Sequence, residues 1–307
     1  MIRPDYYENF KCIADRCQHT CCAGWEIDID EESLERYQKI DGDIGRKLKE
    51  NIVLDEDPHF QLGEGERCPF LNEQNLCEII IECGEDKLCQ ICSDHPRFRN
   101  ELNNVEEIGV GLCCEAAADL ILRKEEKTVL IGCEEVEEFT DLLEEEIYIA
   151  RQKAMNIIQD RTISMDERAV RLLDDFQVQI PEMSAEEWIA FYLSLERMDE
   201  EWTEVLRNME NIETTEKNEV KHLEVPFEQF FVYLLYRHLP QTQDYIDLKA
   251  QIGYCYVNYK LLQSLCSLQD CNLEKMIDLA RMFSSEIEYS EENTDEILNL
   301  LWEENEE

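Results

Sequence analysis

Phe10-Lys11-Cys12-Ile13-Ala14-Asp15-Arg16-Cys17-Gln18-His19-Thr20-Cys21-Cys22-Ala23-Gly24-Trp25-Glu26-Ile27-Asp28-Ile29-Asp30 carries two patterns in one run. Four cysteines come first, spaced Cys12-x4-Cys17-x3-Cys21-Cys22. Apolar and polar residues then alternate, with Trp25, Ile27 and Ile29 on one side, which predicts a short strand over 23–30. Asp30 stands where a helix N-cap belongs, and Glu31 and Glu32 fall in the first turn, where the helix dipole favours acids. Leu34, Tyr37 and Ile40 give that helix an apolar face.

Outward from this run the cysteines continue as Cys68-Pro69-Phe70-Leu71, Cys77, Cys83, Cys89-x2-Cys92 and Cys113-Cys114. Twelve of the 15 lie in residues 1–133. The opening residues Met1 to Tyr7 show no basic-then-apolar export pattern, so a reducing cytoplasm is expected. There, clustered thiols bind metal rather than pair as disulfides. A turn can bring Cys89 and Cys92 onto one metal, whereas neighbours such as Cys21 and Cys22 point apart. Zinc favours paired Cys-x2-Cys knuckles or a His-x3–5-His partner, and only one such knuckle is present. Iron–sulfur clusters accept irregular spacing from distant loops, so spacing leans slightly to iron–sulfur and leaves zinc open. The candidate ligands are Cys12, Cys17, Cys21, Cys22, Cys68, Cys77, Cys89, Cys92, Cys113 and Cys114. Cys83 stays unmatched, and Cys133, Cys255, Cys266 and Cys271 read as small buried hydrophobes.

The 307 residues hold 72 acidic and 29 basic side chains, a net charge of −43. That excludes a nucleic-acid binder that neutralises phosphates and a protein that docks on an anionic membrane. An apolar content of 44% excludes a disordered acidic tail. Residues 51–75 read as loop, and 114–124 as helix. From residue 134 the pattern is helical, with helices expected over about 136–159, 165–178, 185–209, 227–238, 244–268, 273–287 and 293–304. Ser164 to Glu167 and Ser184 to Glu187 have capping-box form, and Pro226 suits a first helical turn. The polar stretch around Asn211–Lys221 reads as a flexible or substrate-facing loop. The expected fold is mainly α: a Cys-rich, loop-dominated metal domain over 1–133, then an acidic helical domain over 134–307.

The run Phe10-x-Cys12-x4-Cys17-x3-Cys21-Cys22-x-Gly24-Trp25-x-Ile27-x-Ile29-Asp30 resembles the opening signature of the flagellin lysine-N-methylase family. So do Cys68-Pro69-Phe70-Leu71, Leu76-Cys77-x-Ile79 and Leu88-Cys89-x2-Cys92-x2-His95-Pro96-Arg97. Gly111-Leu112-Cys113-Cys114-Glu115-Ala116-Ala117 is similar to the family's Cys-Glu-Ala helix start. Phe227-Glu228-x-Phe230-x2-Tyr233-Leu234-x-Tyr236-Arg237-His238 looks like one of its helices. The likeness spans most of the chain and is specific over residues 1–120. The Cys-Cys core also resembles a broader CxxxCC group described as zinc- or iron-chelating. What the resemblance implies is transfer of methyl groups from S-adenosylmethionine to lysines of flagellin, or of another lysine-bearing protein, by a protein that carries a 4Fe–4S iron–sulfur cluster.

Beside the expected metal, Arg97 offers a planar fork for the donor's carboxylate, or an ion pair that anchors its loop. His95 is a candidate fifth ligand or base, against a structural, hydrogen-bonded imidazole. Trp25 is a core anchor or a ring to stack on adenine. Tyr233 and Arg237 share a helix face at i, i+4, with Tyr236 near them. These three are candidates to orient a lysine or take the proton its ammonium must lose before attack on a sulfonium methyl. Aromatic packing in a core helix is the alternative. No Gly-x-Gly-x-Gly loop follows a strand. A non-enzymatic reading therefore stands beside the enzyme: a zinc- or iron-binding module whose acidic helical half holds a basic protein. A redox dithiol at Cys89-x2-Cys92 lacks the expected βαβ context.

Overall fold

The computed structural model describes residues 1–307 except 103–104, 134–138, 140, 212–219, 269 and 307. The mainly α architecture is found, with thirteen α-helices and six short strands among the described residues. The chain forms two compact units, Lys11–Arg97 and Met1–Phe10 with Phe98–Glu307. The boundary expected at 133 follows composition, whereas compaction follows backbone pairing. The Ile2 amide donates to the Glu106 carbonyl at 2.9 Å, and the Ile108 amide to the Ile2 carbonyl at 3.0 Å. These bonds tie the first residues to a strand well beyond the cysteine-rich run. The chain's first strand, β1, is Arg3–Pro4.

The unit Lys11–Arg97 holds α1 (Glu31–Gln38), α2 (Gly42–Glu50), the antiparallel pair β2 (Ile52–Val53) and β3 (His59–Phe60), α3 (Glu78–Cys83) and α4 (Gln90–Asp94). Asp30 caps α1 as expected, its Oδ1 accepting from the Ser33 amide at 2.8 Å. The strand expected over 23–30 does not form. Only isolated bridges join Ala23 to Arg67 and Asp28 to His59. The segment facing it offers two strand residues, too few to extend a ladder. Its alternation is still used, because Ile27 and Ile29 enter a core with Tyr37, Leu48, Phe60, Phe70, Ile79, Cys68 and Cys89. Nine buried side chains are a thin core for roughly 90 residues, the situation in which small folds add a staple such as a metal.

The larger unit continues from β4 (Arg97–Leu102), which starts at the boundary, paired with β5 (Val105–Val110). The Phe98 ring packs against Gly109, where a Cβ would come within 2.2 Å of it. Then come α5 (Glu115–Leu122), β6 (Leu130–Ile131), α6 (Leu142–Ile158), α7 (Met165–Phe176), α8 (Ala185–Ser194) and α9 (Glu200–Arg207). The chain ends with α10 (Glu224–His238), α11 (Tyr245–Ser267), α12 (Leu273–Phe283), a π-helical turn Ser284–Glu288 and α13 (Glu291–Glu306). β6 pairs antiparallel with β1. From Pro226 to His238 every residue of α10 is buried, and α5, α6 and α11 pack around it.

Both capping boxes form. The helix expected over 185–209 is broken after Ser194. The freed Glu196 amide bonds Asn293 Oδ1 at 2.8 Å, and the Met198 and Asp199 amides bond the Glu286 carboxylate at 2.9 and 3.0 Å. Distant side chains thus supply partners that helix continuation would otherwise provide. The start of the helix expected over 136–159 and most of the Asn211–Lys221 loop lie outside the described residues. Among the described residues no helix is long and apolar enough to cross a membrane.

Candidate functional site

Short backbone ties gather the thiols of the Lys11–Arg97 unit. The Cys68 amide donates to the Cys22 carbonyl at 2.8 Å, which joins the Cys22 and Cys68 loops. A tight turn follows Cys68, and a bridge between Leu71 and Cys77 brings Cys77 alongside. Cys89 sits at the start of α4, with Cys92 one turn on and in hydrogen-bond contact with it. Burial pushes the Cys68 thiol up to about 12, helped by Cys22, Cys77 and Cys89. Burial likewise raises Cys77, with Cys22 and Cys89 adding to the shift. Cys92 is raised by its bond to Cys89, by burial, and by Cys89, Cys22 and Cys68. The same bond lowers Cys89. Cys22 is lowered to about 7, chiefly by a hydrogen bond from Cys21. Five thiols, of Cys22, Cys68, Cys77, Cys89 and Cys92, therefore share one electrostatic neighbourhood.

One observation fits a sulfur-ligated metal group here: the donors are soft, as thiophilic metals require. The thiols are gathered but not yet arranged as ligands. Among the described residues no three Cys, His, Asp or Glu side chains stand as a ready-made metal-holding group.

Of the remaining candidate ligands, Cys21 lies beside Cys22, and Cys12 and Cys17 belong to the same unit. Cys12 Sγ accepts from the Ala14 amide at 3.4 Å, and Cys17 Sγ contacts the His19 carbonyl at 3.4 Å. Cys113 and Cys114 belong to the larger unit, where burial raises the Cys113 thiol to about 12 beside Tyr289 and Arg237. Cys83 has Glu82, Lys87 and Asp86 as charged neighbours. Trp25 Nε1 donates to the Cys21 carbonyl at 2.7 Å, and its ring stands 5.9 Å from that of His95. Burial lowers His95 to about 4, so its imidazole is neutral at pH 7. Arg97 Nη1 donates to the Ser93 carbonyl at 3.1 Å and so braces the end of α4.

Tyr233, Tyr236 and Arg237 sit inside the larger unit. The Tyr233 hydroxyl donates to Glu288 Oε2 at 3.0 Å and accepts from the Leu112 amide and from Arg237 Nη1. The Tyr236 hydroxyl bonds the carbonyls of Ile2 and Ile108. The Arg237 guanidinium lies between the rings of Phe98 and Tyr289, 5.0 and 4.7 Å from their centroids. Burial raises both phenols, which disfavours either as the base that would deprotonate a lysine. Their geometry supports hydrogen bonding in a buried network. At its centre is Glu288, which the sequence reading passed over. It also takes His238 Nε2 at 2.8 Å, and Arg237 and His238 hold its carboxyl below the usual range against the opposing effect of burial. Nothing local to Glu288 signals this, because its partners lie about 50 residues away in the chain. A second missed pair is Glu107 with Arg151. Both side chains are 0% exposed and they bond at 2.6 Å.

Among curated proteins the chain is similar to the flagellar biosynthetic protein FliU of Salmonella muenchen. The two are 27% identical over 129 residues, 40% of this chain and 76% of that protein. It is also similar to the lysine-N-methylases of Salmonella typhimurium and Salmonella choleraesuis, at 26% identity over 129 residues in each case. That match takes in 40% of this chain and 32% of each methylase, so the chain spans about a third of their length. No family model matches. No solved structure matches. These likenesses, at low identity, support a relation to a flagellin lysine-N-methylase-related family.

Proposed function

We propose that this chain takes part in methyl transfer from S-adenosylmethionine to lysine side chains of flagellin or of another lysine-bearing protein, with an iron–sulfur cluster held in the Lys11–Arg97 unit. The observation that carries the proposal is the shared neighbourhood of Cys22, Cys68, Cys77, Cys89 and Cys92, on loops that bear the family-like motifs. Cys22, Cys68, Cys89 and Cys92 would hold the cluster, with Cys77 the alternate fourth ligand. When bound, such a group supplies a redox-active or Lewis-acidic centre tuned by its surroundings. The chain's own contribution is electrostatic and positional. A net charge of −43 draws a lysine-rich partner and favours its encounter at low salt. Trp25 and His95, tilted at 36° with ring centroids 5.9 Å apart, offer an apolar wall with a neutral imidazole, suited to a flat ring.

Anaerobically reconstituted protein, flagellin and S-adenosylmethionine test this together. Methyl-mass increments on flagellin lysines are expected. No increment with the cluster loaded overturns the activity. The match to only 32% of each methylase favours a second reading, a metal-binding module that grips a basic protein without turnover. It predicts salt-sensitive binding of flagellin and no mass gain.

A further inference from the structure

We propose that Cys266 and Cys271 form an exchange dithiol, which reacts with a low-molecular-weight disulfide such as glutathione disulfide and closes to a disulfide that staples the end of α11 to the start of α12. The pair lies in the larger unit and needs no metal. Taken singly, each residue is a small buried hydrophobe, as Cys255 is. The structure pairs them. Cys266 lies in the last turn of α11 and is 0% exposed. Cys271 stands just before Asn272, the N-cap of α12, and is 3% exposed. The two thiols are hydrogen-bonded to each other and form no disulfide in this structure.

Cys271 is the attacking sulfur. The bond between the thiols raises Cys266 and lowers Cys271, so Cys266 keeps its proton and donates it to the Cys271 sulfur. The Lys275 ammonium adds to the lowering, against burial and Asp270. A sulfur just ahead of a helix's first turn also gains from the positive end of the helix dipole. Asp270 and Asn272 on either side are exposed, whereas Leu265 and Ser267 beside Cys266 are buried, so Cys271 is the member nearer solvent. Its backbone is held in place, since His222 Nε2 bonds the Cys271 carbonyl at 2.8 Å and Asn272 Oδ1 accepts from the Lys275 amide at 3.0 Å.

The Cys271 thiolate attacks one sulfur of the small disulfide, whose S–S bond breaks and releases one glutathione thiolate. Cys266 then loses its proton and attacks Cys271 Sγ, and the second glutathione thiolate leaves. The released thiolates take up two protons, that of Cys266 and the one Cys271 had already given to water. One S–S bond is consumed and one is formed. In a reducing compartment the pair rests as a dithiol, and it closes as the share of oxidised glutathione rises.

The test incubates native full-length protein with glutathione disulfide, blocks the remaining thiols with iodoacetamide in denaturant, and cuts with trypsin. Residues 261–275 form one tryptic peptide whose cysteines are Cys266 and Cys271 alone. This peptide is expected unblocked and lighter by two hydrogens, and twice blocked after dithiothreitol. In Cys266→Ser, Cys271 is expected to keep a glutathione adduct. In Cys271→Ser, Cys266 is expected to carry none. Alanine replaces serine in any variant that circular dichroism shows unfolded. A wild-type peptide with both thiols blocked at every glutathione ratio overturns the proposal. So does a glutathione adduct on Cys266 in folded Cys271→Ser, or one on Cys255 to the same extent as on Cys271, which would mark reaction through unfolding.

Discussion

Glu288 binds Tyr233 and His238 and faces Arg237, so it is the acceptor on which a buried cation and two buried donors depend. Breaking a buried charged pair from one side leaves the other charge uncompensated, at about 3–5 kcal/mol. Glu288→Gln is expected to lose stability of that order in urea titration, with Tyr233→Phe losing less, about 1–2 kcal/mol. Equal losses would contradict the central place of the carboxylate. Histidine protonation gives a pH prediction. His95 is lowered from 6.5 to about 4 by burial, and His238 is lowered in the same sense. The unfolded chain then takes up protons first, so stability is full above pH 6.5 and falls as pH drops from 6.5 toward 4. For His95 the full shift corresponds to on the order of 3 kcal/mol. A midpoint that stays flat between pH 7 and 4.5 in wild type, and does not differ in His95→Gln, would contradict this. At this scale the thiols were legible in the sequence, because cysteine spacing is a local signal. Glu288 and the Glu107–Arg151 pair were not, because their partners are remote in the chain.

α1 shows how local and distant signals divide at the level of elements. Its N-cap and apolar face are both written in residues 30–40, and both form. Its role as a brace for Cys89 depends on Gln90 and Leu88, and nothing in the helix itself announces that. The same division holds for the segment 185–209. Helical pattern and capping box predict one long helix, but Glu286 and Asn293 capture the amides at 196, 198 and 199. Glu286→Ala is therefore expected to destabilise the larger unit by about 1–3 kcal/mol through orphaned amides. Amide hydrogen exchange at Met198 and Asp199 should quicken, and unchanged exchange there would sink the explanation. Ser164→Ala removes one capping-box bond and is expected to cost about 1 kcal/mol. The strand expected over 23–30 fails for want of a partner, since alternation reports which side is apolar and not whether a neighbour exists.

The whole molecule joins a thin-cored, thiol-bearing unit to a larger helical one. Metal loading should act on the two unequally. A group bound by the folded Lys11–Arg97 unit stabilises that unit by mass action. Calorimetry is expected to show its transition rising on reconstitution while the transition of the helical unit stays where it was. The charge of −43 adds self-repulsion that salt screens over a Debye length of about 8 Å at physiological ionic strength. The most direct test of the account is the iron and acid-labile sulfide content, with the visible spectrum, of anaerobically purified wild type beside Cys89→Ser and Cys113→Ser. The account predicts a bound cluster in wild type, its loss in Cys89→Ser, and its retention in Cys113→Ser, whose thiol lies against Tyr289 and Arg237. A colourless zinc protein, or a cluster that survives Cys89→Ser and disappears in Cys113→Ser, would contradict it.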